Sequence, residues 1–308
     1  MSDRVIDLAR SERAQRFVTR SPAGRELFHR YVAGESLDEL LLVVAERHRK
    51  GLVVSIDPLR APAATPQEAA ASAQICVDVL GALEKHGLAE GSDLTVKLDA
   101  LGLSGPGPRP AGAMDRLRAI CRLAGNCGAT VTVDTPPEAG VERTLDIVRE
   151  LRMDHPGVGV ELLAMLRRTE ADCRALAGEG LRIRLSKGGW RTSDEPAFSR
   201  RHDIDLSFVR CLRVLMDSGA RPVVASHDPR LVEISLDLAR RFHRGPSECE
   251  FQMLLGVRPL EQRRLADIGC TMRTQLPFGP NWYDYFLRRV LQRPDSAALY
   301  ARSLVSRH

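Results

Sequence analysis

The chain has 308 residues, 44% of them hydrophobic and 28% charged, with a net charge of +5; this suits a globular protein with a full core, and the length fits a helical lead plus one barrel of ~250 residues. Its seven cysteines are scattered, odd in number and free of any C-x-x-C pair, which argues against a disulfide framework or a zinc site and suits a reducing, cytoplasmic compartment. No apolar run reaches the ~18–20 residues of a membrane span, and dispersed basic residues with 5% aromatics argue against nucleic-acid binding.

The opening stretch MSDRVIDLARSERAQRF has no apolar h-region and is not read as a targeting peptide. Residues 1–50 are expected to be a helical lead and 51–308 a barrel that ends in a C-terminal helix over 281–293. Within the lead, Ser36 is placed to cap a helix over 36–50, with Glu39 three residues on as in a capping box.

After residue 50 an alternation begins. Short apolar or β-branched runs appear at 52–56, 94–98, 129–133, 158–164, 181–186, 221–226, 250–255 and 271–276. Segments of helical period separate them at 67–86, 114–127, 140–151, 170–177, 205–218, 229–242 and 259–268. Gly87, Gly128, Gly180, Gly219 and Gly269 stand where a helix gives way to the next strand, a position that favours the left-handed conformation. Eight strands alternating with helices predict an α/β fold of the (β/α)8 TIM-barrel kind. An open doubly wound sheet would be expected to carry G-x-G-x-x-G after its first strand, and none is present. The long polar loops at 101–113 and 187–204 both follow strands, where barrels place functional loops.

Polar residues gather at strand ends: Asp57, Lys97, Asp134, Arg184 with Lys187, His227 with Asp228, Gln252 and Gln275. In a barrel these positions converge on one mouth. Any one alone is most simply a solvated charge; Lys97, inside the apolar run LTVKL, needs a partner or a ligand. In the last helix Tyr285, Arg288, Arg289 and Gln292 share one face. That face suits either plain solvation or an anionic ligand held by arginine forks. In RLSKGGW (184–190) two glycines let backbone approach a ligand closely.

Together these blocks resemble the proline dehydrogenase family. TVKLDALGL, VTVD, RRTEAD, RLSKGGW, ASHDPRLVE, EFQMLLGVR and LPFGPNWYDYFLRRVLQRP follow that family's order from about residue 30 to 294. The resemblance implies an FAD-dependent flavoprotein oxidoreductase of proline catabolism. Such an enzyme moves a hydride from the carbon beside the amine to flavin N5 and yields 1-pyrroline-5-carboxylate. It further implies that Arg184, Ser186, Lys187, Gly188, Gly189, Ala225, Ser226, His227, Gln252 and Leu254 hold the cofactor. Lys97, Arg288 and Arg289 would clamp the substrate carboxylate, with Asp134 organising the polar end. It implies partners as well: a small cyclic amino acid, a quinone or other electron acceptor, and a downstream aldehyde dehydrogenase. The basic charge permits peripheral contact at the inner face of the membrane.

Four positions depart from the family pattern. Gln275 stands where a substrate-packing tyrosine is usual, and Gln292 where the last helix usually carries glutamate. Leu163 replaces a flavin-binding glutamine, and Ser226-His227-Asp228 replaces Thr-His-Asn. One fewer acid near Lys97, Arg288 and Arg289 predicts a more anionic or differently shaped ligand. The expected activity is therefore proline oxidation, the same chemistry on another cyclic or secondary amino acid, or binding alone by a barrel that has lost catalysis.

Overall fold

Each short run buries one side chain in two against a following helix, and eight such units can hide every strand edge only by closing on themselves. The computed structural model describes residues 21–104, 107–135, 140–178, 180–188 and 196–292, with the side chains of 23 and 288–292 excepted. Its eight strands form a closed parallel barrel in sequence order. They are β1 Val53–Pro58, β2 Asp93–Lys97, β3 Thr130–Asp134, β4 Val158–Leu163, β5 Arg182–Ser186, β6 Arg221–Ala225, β7 Glu250–Leu254 and β8 Thr271–Phe278. The outer helices are α3 Pro66–Lys85, α4 Ala113–Asn126, α5 Val141–Arg152, α6 Thr169–Ala175, α7 Arg201–Met216, α8 Pro229–Arg241 and α9 Pro259–Asp267. Gly87, Gly128, Gly180 and Gly269 take positive φ before the next strand.

Strand parity divides the interior. Val54, Ile56, Leu94, Val96, Val131, Val133, Val160, Leu162, Ile183 and Leu185 are buried in the layer between barrel and helices. The alternate positions point along the barrel axis and are mostly polar. Gly159 is one of the few without a side chain; a Cβ there would stand 2.6 Å from the carbonyl oxygen of Arg182.

Two further helices, α1 Pro22–Tyr31 and α2 Leu37–Arg49, precede β1, and α10 Trp282–Gln292 follows β8. The capping box forms as its spacing predicts: Ser36 Oγ accepts from the Glu39 N–H, and Glu39 Oε2 accepts from the Ser36 N–H. Tyr31, Val32, Leu59, Leu254, Val257, Trp282, Tyr283 and Phe286 form a second apolar cluster joining α1 and α10 over the C-terminal end of the barrel. The Phe28 and Trp282 rings lie 5.3 Å apart, and Trp282 Nε1 donates to Glu35 Oε1 at 2.8 Å. Among the described residues, no helix is long and apolar enough to cross a membrane.

The N-terminal half of the barrel is filled by charge. Asp93 Oδ1 accepts from Thr130, Thr132 and Arg182, each at 2.8 Å. Its Oδ2 accepts from Ser55 at 2.7 Å and from Arg184 at 3.1 Å. Glu250 receives Arg182 on both oxygens at 3.2 Å and Arg273 at 2.7 Å. Arg273 then donates to the carbonyls of Val54 and Gly91 at 2.5 and 2.9 Å. Burial opposes the charge on Asp93, but Arg182, Arg184 and Arg273 outweigh it and hold the carboxyl far below its ordinary range. Burial also opposes the charge on Glu250, whose two arginines bring it down to about 2.

Removing one partner of such a buried set strands the others without compensation, at roughly 3–5 kcal/mol. Asp93→Ala is expected to lose that much in urea unfolding. The native carboxyl pKa values are depressed, so the stabilisation is complete above the ordinary glutamate value of 4.5 and is lost as pH falls toward about 2. Stability should fall with pH across that window in wild type and fall less steeply in Asp93→Ala, where Glu250 still contributes.

Candidate active site

At the C-terminal strand ends the polar column continues into a mouth. Lys97 closes β2 and pairs in register with Asp134 at the end of β3. The Lys97 ammonium lies 2.5 Å from Asp57 Oδ1. Gln275 Nε2 donates to Asp57 Oδ2 at 3.2 Å, and Gln252 Nε2 donates to Gln275 Oε1 at 3.3 Å. Burial works against the ammonium of Lys97, yet the carboxylates of Asp57 and Asp134 outweigh it and raise its pKa. The lysine inside an apolar run has therefore found its partners on two neighbouring strands.

Arg184 sits mid-strand in β5 and is 2% exposed. Its Nη2 reaches toward the N-terminal plug, donating to Thr95 at 2.8 Å and to Ser55 at 3.3 Å as well as to Asp93. Its Nη1 lies 3.7 Å from Glu161 Oε2 on β4. Glu161 also neighbours Asp134 across the β3–β4 ladder, one step beyond the Val133–Val160 pair. Burial first, then the like charge of Glu161, lifts Asp134 to about 8 against the pull of Lys97 and Arg184. Two buried polar atoms, Arg184 Nε and Gln252 Oε1, have no hydrogen-bond partner among the described residues. An unmet buried donor or acceptor costs about 1–3 kcal/mol.

The loops after β5 and β6 are tied to each other. The Lys187 ammonium is held between Asp205 of α7 at 2.5 Å and Asp228 at 2.9 Å. Burial opposes the charge on Asp228, but the bond from Lys187 brings its pKa down to about 2. Ser226 is buried and its Oγ accepts from the Asp228 N–H at 3.2 Å, while Asp228 caps α8 through the Arg230 N–H at 3.0 Å. His227 Nε2 accepts from the Leu254 N–H at 3.0 Å, which fixes that nitrogen as the unprotonated one. Leu254 belongs to the apolar cluster under α1 and α10. Ser186 and Ala225 end neighbouring strands in register. Gly188 has a φ of +80°, and a Cβ there would lie 2.6 Å from Met165 Sδ, so the chain beside β4 is open only to glycine.

The structure gathers Lys97, Asp134, Arg184, Gln252 and Gln275, all expected at the site, along the polar column that ends at this mouth. Lys187 and His227, also expected at the ligand, are engaged by neighbouring protein groups here. Tyr285 lies half-buried on α10, its ring 5.7 Å from that of Phe286. Arg288, Arg289 and Gln292 fall within α10, with side chains outside the described set, and Gly189 lies outside the described residues. Glu161, Asp205 and Asp93 were missed. Glu161 is hidden in the run VGVELLA; the signal was parity, two residues before Leu163 and so on the same side of the strand. It also supplies an acid near Lys97 and Arg184 that a count based on Gln292 leaves out.

A family model described as "Proline dehydrogenase" matches residues 41–292. Proline dehydrogenase 1 of Bacillus subtilis (strain 168) is 32% identical over 278 residues, covering 90% of each chain. The proline dehydrogenase of Deinococcus radiodurans is 27% identical and covers 91% of this chain and 90% of its own. Among solved structures, proline utilization A (PutA) from Bdellovibrio bacteriovorus, inactivated by N-propargylglycine, superposes with a TM-score of 0.77 at 22% identity. The match covers 87% of this chain, which spans only 33% of that longer one.

The chain has four lysines, Lys50, Lys85, Lys97 and Lys187, two of them at this end of the barrel. Each ammonium can therefore be followed separately by lysine-labelled NMR. Asp57→Asn removes the carboxylate nearest Lys97, and an opposite charge at such range moves a pKa by about 1–3 units. The Lys97 signal should titrate lower by that amount, with Lys50 and Lys85 unmoved.

Proposed function

Because the chain belongs to the proline dehydrogenase family, we propose that it oxidises L-proline to 1-pyrroline-5-carboxylate with FAD as its cofactor. The observation that carries this reading is the Asp57–Lys97–Asp134 cluster at the strand C-termini, a fixed ammonium where a barrel places its substrate. The flavin-binding barrel is then the unit that begins at residue 51, with the described part of the helical lead at 21–50; residues 1–20 and 293–308 of that division lie outside the described residues.

The residues present fit a flavin. A heteroaromatic ring with both hydrogen-bond donors and acceptors meets the needs of Arg184 Nε and Gln252 Oε1. Arg184, Ser186, Lys187, Gly188, Gly189, Ala225, Ser226, His227, Gln252 and Leu254 would hold it, the backbone of this set serving where side chains are already engaged. Leu163 offers no hydrogen bond there, a loss of about 0.5–1.5 kcal/mol. Bound FAD would supply the two-electron acceptor, at N5, for hydride from the carbon beside the amine.

The chain's own work is to orient. Lys97, with Arg288 and Arg289 of α10, binds the substrate carboxylate; one charged group cannot set the ring's tilt, but several fixed ones can. Asp57 keeps Lys97 protonated, and Gln275 keeps Asp57 in place. Tyr285 and Gln292 complete the α10 face. Electrons then pass to a quinone or another acceptor. The product is a cyclic imine that opens in water to an aldehyde, so a downstream aldehyde dehydrogenase is the reaction class that consumes it. The protein would act in the cytoplasm or at the inner membrane face.

A second reading keeps the chemistry and changes the substrate to another cyclic or secondary amino acid. One observation favours it: the wall at β8 is the amide of Gln275, bonded to Asp57 and Gln252, rather than an aromatic ring.

The test is anaerobic spectroscopy of the FAD-loaded protein. L-proline should bleach the flavin, and Lys97→Met should lower kcat/KM by roughly tenfold to a hundredfold, the worth of one charged hydrogen bond. A yellow protein that proline leaves unbleached points to the second reading. A protein that takes up no FAD is a barrel that binds without catalysing.

A further inference from the structure

We propose that Glu161 is a positioning residue of this site, bridging the Asp134 carboxyl on β3 to the Arg184 guanidinium on β5 and setting the charge of the mouth. It deepens the amine-oxidation reading, on which its substrate-level consequence rests. β4 lies between β3 and β5 in the barrel. Glu161 pairs in register with Arg184, and its Oε2 lies 3.7 Å from that residue's Nη1. On the other side it stands next to Asp134, one step up the β3–β4 ladder from the Val133–Val160 pair. The Glu161 backbone is also fixed, because Thr135 Oγ1 donates to its carbonyl at 2.6 Å. One glutamate thus fastens the cation below to the acid above.

Two carboxyl groups held side by side out of water resist ionising together, because like charges at that range repel. The groups facing Asp134 among the described residues are Lys97 from β2, Glu161 from β4 and Arg184 from β5, with Asp57 of β1 behind Lys97. Burial and Glu161 together hold the Asp134 proton up to about pH 8. Below that pH the strand walls carry Lys97 and Arg184 against Asp57 and Glu161, and are balanced. Above it Asp134 adds a negative charge beside Lys97, where a substrate carboxylate would sit. Without Glu161 the proton leaves Asp134 at much lower pH, and the balance no longer changes near 8.

Carboxyl-labelled aspartate NMR on the purified full-length chain tests this, with the Asp134 signal assigned by its loss in Asp134→Asn. In wild type that signal should titrate near pH 8. In Glu161→Gln its midpoint should fall by about two units or more. An unchanged midpoint in a folded Glu161→Gln protein overturns the inference. So does a wild-type midpoint in the ordinary carboxylate range, a result that needs no variant to fold. If proline is a substrate, its KM should rise severalfold between about pH 7 and 9 in wild type and stay level in Glu161→Gln. A titration near 8 that is lost in Glu161→Gln upholds the role of Glu161 even where proline is not oxidised; that failure counts only against the substrate reading.

Discussion

The carboxylate of Asp93 is the interaction on which the rest of the barrel interior depends. It is buried, and its two oxygens accept from side chains of β1, β3 and β5. A charge out of water survives only when nearly every lone pair is met, so these strands are held to one register and one stagger. Arg184 can extend across the barrel because Asp93 awaits it. With Arg184 fixed, Glu161 has a cation to lean on, and Asp134 has an acid to share with. The geometry at the mouth is thus set, link by link, from the opposite end of the molecule.

Strand parity turns this into a general arrangement. Outward positions are aliphatic and supply the packing free energy, while inward positions form a polar column from Glu250 and Arg273 at the base to Lys97 and Asp134 at the top. A column of this kind costs desolvation at every level, and each level recovers it by pairing across strands that are distant in sequence. Separation of the two roles lets the mouth vary without disturbing the apolar layer. Gln275 and Leu163 differ from the family pattern yet sit among intact neighbours: Gln275 is hydrogen-bonded on both sides, and Leu163 is buried with its carbonyl bonded by Thr169.

The barrel was legible because its strands are short apolar runs at regular spacing, and the Ser36–Glu39 box because it is local. Lys97 was legible as a buried cation in need of a partner. What could not be read was which partner: Asp57 lies 40 residues away, and only the closure of β1 beside β2 brings it near. Glu161 stayed hidden for the same reason, since an acid in an apolar run looks like an exception until parity and register place it between Asp134 and Arg184. Lys187 shows the converse. Its position at a strand end suggests a ligand, while Asp205, on a helix that follows the loop, claims the charge. Periodicity reports the faces of elements; cross-strand pairing decides what meets at the mouth.

The aromatic clasp between α1 and α10 has a consequence for how the molecule is made. Phe28 and Tyr31 pack on Trp282 and Phe286, which are synthesised only after all eight strands. At about 5–20 residues per second on the ribosome, the apolar stripe of α1 waits on the order of tens of seconds for its cover. During that interval the nascent chain displays a greasy, ring-rich surface that a chaperone can grip. The arrival of α10 covers that surface in the same step that closes the C-terminal end of the barrel.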